Sequence, residues 1–199
     1  ELRKGLDAER NARAEALFKA EVAAGRIQFR LRLDGRNWQM PFSIETTEPE
    51  NARQLLNRAG GPLEKSLFAP VYENELNSEE REVAVYLDGE KTVAWWHRNV
   101  ARRQYGIQGW RKAKIYPDFI FAVQRNGKVS HIKVLETKGD QLDNSDTAYK
   151  REALSFLSEH FSWDDATPVG ELELVSNGET VEATLILMSE WRTRLPQWL

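Results

Sequence analysis

The sequence predicts an α/β (α+β) fold, a sheet of short strands flanked by helices, with a helix and β-hairpin appendage at the N-terminus. Three observations predict it. Apolar residues recur at helical spacing over "NSEEREVAVYLD" and "SDTAYKREALSFLSEHF". Between these stretches, "IYPDFIFAVQRNGKVSHIKVLETKGDQL" reads as two strands joined at Asn126-Gly127, and "TVAWWHRN" reads as a strand before them. The resulting order is helix, three strands, helix, then a strand or strands around a turn at Asn177-Gly178.

Residues 5–24 are rich in alanine and charge. They read as a helix with Ala14, Leu17, Phe18 and Val22 on its apolar side and Gly25 as its stop. "RIQFRLRLDG" then alternates cleanly and returns through "NWQMPFSI", a hairpin with Arg26, Arg30 and Arg32 on its wet face. Residues 46–70, with Pro49, Pro62 and Pro70, read as a connector holding a short helix. The expected division is an appendage over residues 1–62 and a main domain over 63–199. In the main domain Asn77 can cap the first helix, with Glu80 as the return member of a capping box.

The 199 residues are 41% hydrophobic and 30% charged, which fits one sizeable core. A net charge of −3 does not announce nucleic acid, so a binder needs its positive charge gathered locally. The absence of cysteine removes disulfides and cysteine zinc sites and suits a reducing compartment such as the cytoplasm. No His-x-x-x-His pair is present, which sets aside a zinc or HNH-type site. No apolar run approaches the roughly 20 residues of a membrane span, and no signal peptide is visible. The chain starts at Glu1 rather than methionine, which fits a piece of something longer.

The central hairpin carries acids where a covered strand should be apolar. With its turn between Asn126 and Gly127, Asp118 falls opposite residue 135, beside Glu136, unless a bulge shifts the register. Glu136 and Lys138 are two apart on one strand and share a face. The apolar residues around them imply strands covered on both sides. Burying two carboxylates together is costly unless cations compensate. Lys138 can compensate one; a hard ion such as Mg²⁺ or Mn²⁺ can use both. A metal with two acids and a lysine outlines a phosphodiester hydrolysis site. Pro-Asp and Glu-x-Lys are each weak signals alone, but each occurs once, in order, on successive strands.

Pro117-Asp118 followed by Glu136-Thr137-Lys138 resembles the signature of the PD-(D/E)xK nuclease superfamily. "LNSEEREVAVYLD", "VAWWHRN", "YPDFIF", "LETKG" and "DTAYK" together resemble the C-terminal endonuclease region of type III restriction enzyme Res subunits and related helicase–nuclease proteins. The resemblance implies a restriction-endonuclease-like αβββαβ core with a mixed central sheet. It implies Asp118 and Glu136 as metal ligands, the Thr137 carbonyl as a further ligand and Lys138 as the catalytic lysine. Glu80, on the helix stripe facing the sheet, is the candidate for an added acid. It further implies double-stranded DNA as substrate, a helicase/ATPase motor in the same full-length chain and a modification (methyltransferase) subunit as partner. The chain itself contains no P-loop.

Residues 98–114 hold Arg98, Arg102, Arg103, Arg111, Lys112 and Lys114 and no acid, with Tyr105 and Trp110 interleaved. Such a loop fits salt-dependent contact with phosphates better than base reading. Tyr149 and Lys150 open the next helix; the resemblance sets both at the site, and Tyr149 equally suits the core. Two rival readings stay open: a catalytically silent DNA-binding or docking module, and a repair-type nuclease for single-stranded or structured nucleic acid.

Overall fold

Along the chain the elements are α1 (Leu2–Ala23), α2 (Ser78–Gly89), β1 (Val93–Arg98), β2 (Phe119–Arg125), β3 (Lys128–Lys138), α3 (Ser145–His160), β4 (Thr180–Leu187) and α4 (Trp191–Trp198). The computed structural model describes residues 2–27, 29, 50, 53–139, 145–161 and 180–199. The expected N-terminal hairpin with Arg30 and Arg32, and the turn at Asn177-Gly178, lie outside the described residues. Among the described residues no helix is long and apolar enough to cross a membrane.

The α2 cap forms as the sequence predicts. The Asn77 side chain accepts from the Glu79 and Glu80 N–H groups, and Glu80 Oε2 accepts from the Asn77 N–H. The stripe behind the cap buries Glu80, Val83, Ala84, Leu87 and Asp88. β1, β2 and β3 are antiparallel neighbours, and β4 lies parallel to β3 in the order β1-β2-β3-β4. A parallel neighbour needs a crossover, and α3 lies in the connection that makes it. The fold is therefore α+β, with a four-stranded mixed sheet among the described residues.

Helices cover both faces, which is why β2 reads as a continuous apolar run. On one face Phe119, Phe121 and Leu135 pack with Val83, Ala84 and Leu87 of α2 and Leu195 of α4. On the other, Ile120, Ala122, Ile132 and Val134 pack with Ala153, Leu154 and Leu157 of α3 and Val22 of α1. Phe18 joins this second core, but Leu17, expected beside it, is 63% exposed. A helix packed along one narrow line leaves its flank in water.

The described part of the connector contains no α-helix. It makes isolated bridges between turns and bends instead, with the Leu55 N–H donating to Val71 and the Glu73 N–H to Arg53. These bonds bury Leu55 in the α2 core, a tertiary gain that outweighs local helix propensity. Leu55 and Leu63 share that core, although they fall on either side of the expected division at 62. α4 lies beyond the predicted elements. Pro196 argues against a helix there, but it stands in a helix of only 8 residues that buries Trp191 and Leu195.

Asp88 ties the connector to the sheet. Its buried carboxylate accepts from the Glu64 and Lys65 N–H groups and from Trp96 Nε1. Asp88→Ala strands three donors and is expected to cost about 3 kcal/mol, with a smaller loss for Asp88→Asn. Urea denaturation measures both; an unchanged midpoint for the alanine variant would refute the tie.

Candidate active site

β2 and β3 start their ladder one residue out of step with their finish. Arg125 pairs with Lys128 and Gln124 with Val129, but Val123 pairs with His131. Ser130 is the extra residue, and its hydroxyl reaches the Val123 carbonyl at 3.3 Å. The register then holds to Phe119↔Leu135. Asp118 lies one residue beyond the last pair of this ladder, and its N–H reaches residue 135, beside Glu136, within the one-residue shift that the turn arithmetic allows for a bulge.

Asp118 sits where regular pairing ends, and its side chain extends the pairing. Its N–H donates to the Leu135 carbonyl at 2.9 Å. Its Oδ2 accepts from the Thr137 N–H at 2.7 Å and the Thr137 hydroxyl at 2.6 Å. Bonded to residues 135 and 137, Asp118 brackets Glu136. Burial pushes its carboxyl above the usual range and the charge of Glu80 adds to this, while the bonds from Thr137 and the charge of Arg98 oppose it.

Glu136 is 4% exposed. Its Oε1 accepts from Lys150 Nζ at 2.6 Å, reached from the second turn of α3. Its Oε2 is buried with no hydrogen-bond partner among the described residues. Burial, then the charge of Asp118, pushes its carboxyl up to about 7, against the pull of Lys150 and Lys138. Burial alone would lower Lys150, but Glu136 outweighs it and Lys150 ends above its ordinary value.

Strand alternation arranges the rest. Glu136 and Lys138 share the α3 face with Val134, as their spacing predicts. The Lys138 carbonyl accepts from the Met188 N–H, on the β4 side. Thr137 turns its N–H the other way, toward Asp118, and its carbonyl follows to that same side. Glu80 approaches from α2 and lies near enough to act on Asp118. It is committed elsewhere, to the helix cap and to Arg98 Nη2 at 3.1 Å.

The basic loop divides in two. Arg98 and Arg111 are half-buried and structural: Arg98 pairs with Glu80, while Arg111 lies 4.4 Å from the Tyr149 ring centre and donates to the Ser145 carbonyl. Arg102, Arg103, Lys112 and Lys114 are exposed. Tyr149 is buried beneath the loop, edge-on to Trp110. A Cβ on Gly109 would come within 2.5 Å of its hydroxyl, so only glycine lets the loop descend this far. Lys150, expected at a phosphate, is drawn inward by Glu136.

Asn99 was missed. It is 1% exposed, and its amide donates to the Tyr105 and Pro117 carbonyls, pinning both ends of the loop. Its N–H donates to the Asp118 carbonyl. The available signal was an amide closing an apolar strand just before a basic run.

Among the described residues no group of three or more His, Cys, Asp or Glu stands together to hold a metal. The oxygens that neighbouring positions offer are the Asp118 carboxylate, the orphaned Glu136 Oε2 and the Thr137 carbonyl. Such a set fits an ion that retains several waters, Mg²⁺ or Mn²⁺.

Glu136 offers a direct measurement. Its carboxyl carbon, followed by NMR with chelator present, is expected to titrate near pH 7, and Asp118→Asn is expected to lower that midpoint. A folded-state value above the ordinary 4.5 adds stability that is full below about 4.5 and lost as pH rises through about 7. The parent should therefore lose stability over that window relative to Glu136→Gln. A midpoint at the ordinary carboxylate value would refute the burial.

No family model matches this chain, and no curated protein or solved structure matches it.

Proposed function

We propose that this chain is a metal-dependent endonuclease domain that hydrolyses phosphodiester bonds in double-stranded DNA. The observation that carries the reading is the buried Glu136 Oε2 with no partner, near enough to Asp118 to feel its charge and two residues from Lys138. A buried acceptor left open is costly, and a divalent cation satisfies it. The element order α2-β1-β2-β3-α3-β4 and the mixed sheet support a restriction-endonuclease-like core.

Asp118, Glu136 and the Thr137 carbonyl hold the ion. When bound, Mg²⁺ or Mn²⁺ polarises a phosphoryl oxygen and lowers the pKa of a coordinated water. Lys138 orients the attacking water or steadies charge on the phosphate. Lys150 keeps Glu136 in place. The exposed Arg102, Arg103, Lys112 and Lys114 neutralise flanking phosphates. In the larger restriction or defence machine that the sequence resembles, a motor in the same full-length chain and a modification subunit deliver the DNA.

Cleavage of plasmid DNA with Mg²⁺ or Mn²⁺, and none with chelator, is expected. Asp118→Ala and Lys138→Ala should each lower the rate at least about a thousandfold, the several kcal/mol that site electrostatics supply. If both variants cut like the parent, the assignment falls. Ion affinity should drop about tenfold per pH unit below about 7, as Glu136 takes up a proton.

For DNA binding, alanine at Arg102, Arg103 or Lys112 should each reduce the salt slope by about one without altering unfolding. Arg111→Ala should instead lower thermal stability. Equal salt slopes for parent and variants would remove the loop from the interface.

The Lys150–Glu136 ion pair favours one second reading, a silent DNA-binding module in which the ammonium replaces the ion. Calorimetry with Mg²⁺ or Mn²⁺ separates the two, since the silent module takes up no metal.

A further inference from the structure

A cavity of about 310 Å³ is lined in part by Arg98, whose charge also acts on Asp118. That volume is at the small end for ligand pockets. Its walls are mostly apolar. Phe68 and His97 meet edge to face at 5.4 Å, Leu76 and Val71 are buried behind, and Val100, 37% exposed, stands at the rim. Burial pulls His97 down to about 4, so it is an uncharged wall at neutral pH.

The polar groups are few and mostly engaged. Glu75 Oε2 accepts from the Tyr72 N–H, and Arg98 is paired with Glu80. Gln104 Oε1 accepts from the Val100 N–H and lies 2.9 Å from His97 Nε2. Its amide nitrogen is the end not used by these two bonds. Arg98, the cation in this lining, already pairs with Glu80 and keeps only its buried Nε without a partner among the described residues, which is little for a phosphate. A flat, uncharged ring with acceptors on its edge finds an aromatic wall and an amide donor.

We propose that the cavity takes one nucleobase of the nucleic-acid strand, lifted out of the stack next to the cut phosphate. The occupant's identity rests on the nuclease reading, because Arg98 and Asn99 join the cavity to Asp118. The site's preferred substrate is then a strand with an unpaired or easily flipped base beside the cut, since flipping costs least there.

The test uses dAMP with the full chain and chelator present, observed by saturation-transfer NMR. Saturation is expected on the base protons with the parent and lost with Val100→Trp, which blocks the rim. Phe68→Leu keeps an apolar wall and guards against a folding defect in the first variant. It should weaken binding about tenfold, the loss of one stacking contact. A single-stranded oligonucleotide should displace dAMP.

No transfer with the parent, or transfer that survives both variants, overturns the cavity whatever the cleavage assays give. Failure of the oligonucleotide to displace dAMP means that a free nucleotide, and not a strand, is the occupant, which overturns the proposal. If dAMP binds as expected and the strand competes, but Asp118→Ala leaves cleavage unchanged, the nuclease reading falls and the placement beside a cut phosphate falls with it, while nucleobase binding in the cavity stands.

Discussion

The arrangement turns on one buried charge. Glu136 sits inside a sheet covered on both faces, where ionisation is costly. Lys150 offsets part of that cost on Oε1 and leaves Oε2 unmet. Much of the neighbourhood can be understood as support for this group. The α3 crossover supplies Lys150 at the height of the strand end, and Asp118 is held beside Glu136 by two bonds from Thr137. The apolar strands between them give the carboxylates a rigid floor, and preorganisation of that kind is what a site of fixed geometry needs.

The second pair, Glu80 and Arg98, works from the α2 face. Glu80 closes the helix cap with one oxygen and meets Arg98 with both. The pair therefore ties the start of α2 to the end of β1, one residue before Asn99. The basic loop is anchored the same way, from beneath, by Asn99 and Tyr149. Its inner arginines spend their charge on the protein and its outer cations face water, so one run of like charge serves two purposes.

Local signals were legible and distant ones were not. The α2 cap, the Asn126-Gly127 turn and the αβββαβ order follow from residues near one another in sequence. That Asp118 falls beside Glu136, with Lys138 on the Glu136 face, was readable because strand parity is local and only one turn separates the strands. The register slipped by one because Ser130 carries no mark of a bulge. Arg98 and Arg111 read as phosphate ligands because their partners, Glu80 on α2 and Tyr149 on α3, lie many residues away. Asn99 and the inward turn of Lys150 were hidden for the same reason: each is defined by what the fold brings to it.

The bulge at Ser130 also divides the hairpin into two mechanically distinct halves. Between it and the turn, pairing is short and partly solvent-facing; beyond it, Ile132–Glu136 are buried, between two cores. A change of length on the turn side is absorbed where a spare residue already interrupts the ladder. The same change on the core side would rotate Glu136 and Lys138 away from α3 and bring Leu135 or Thr137 round in their place. The outer half behaves as a tolerant handle and the inner half as a fixed jaw.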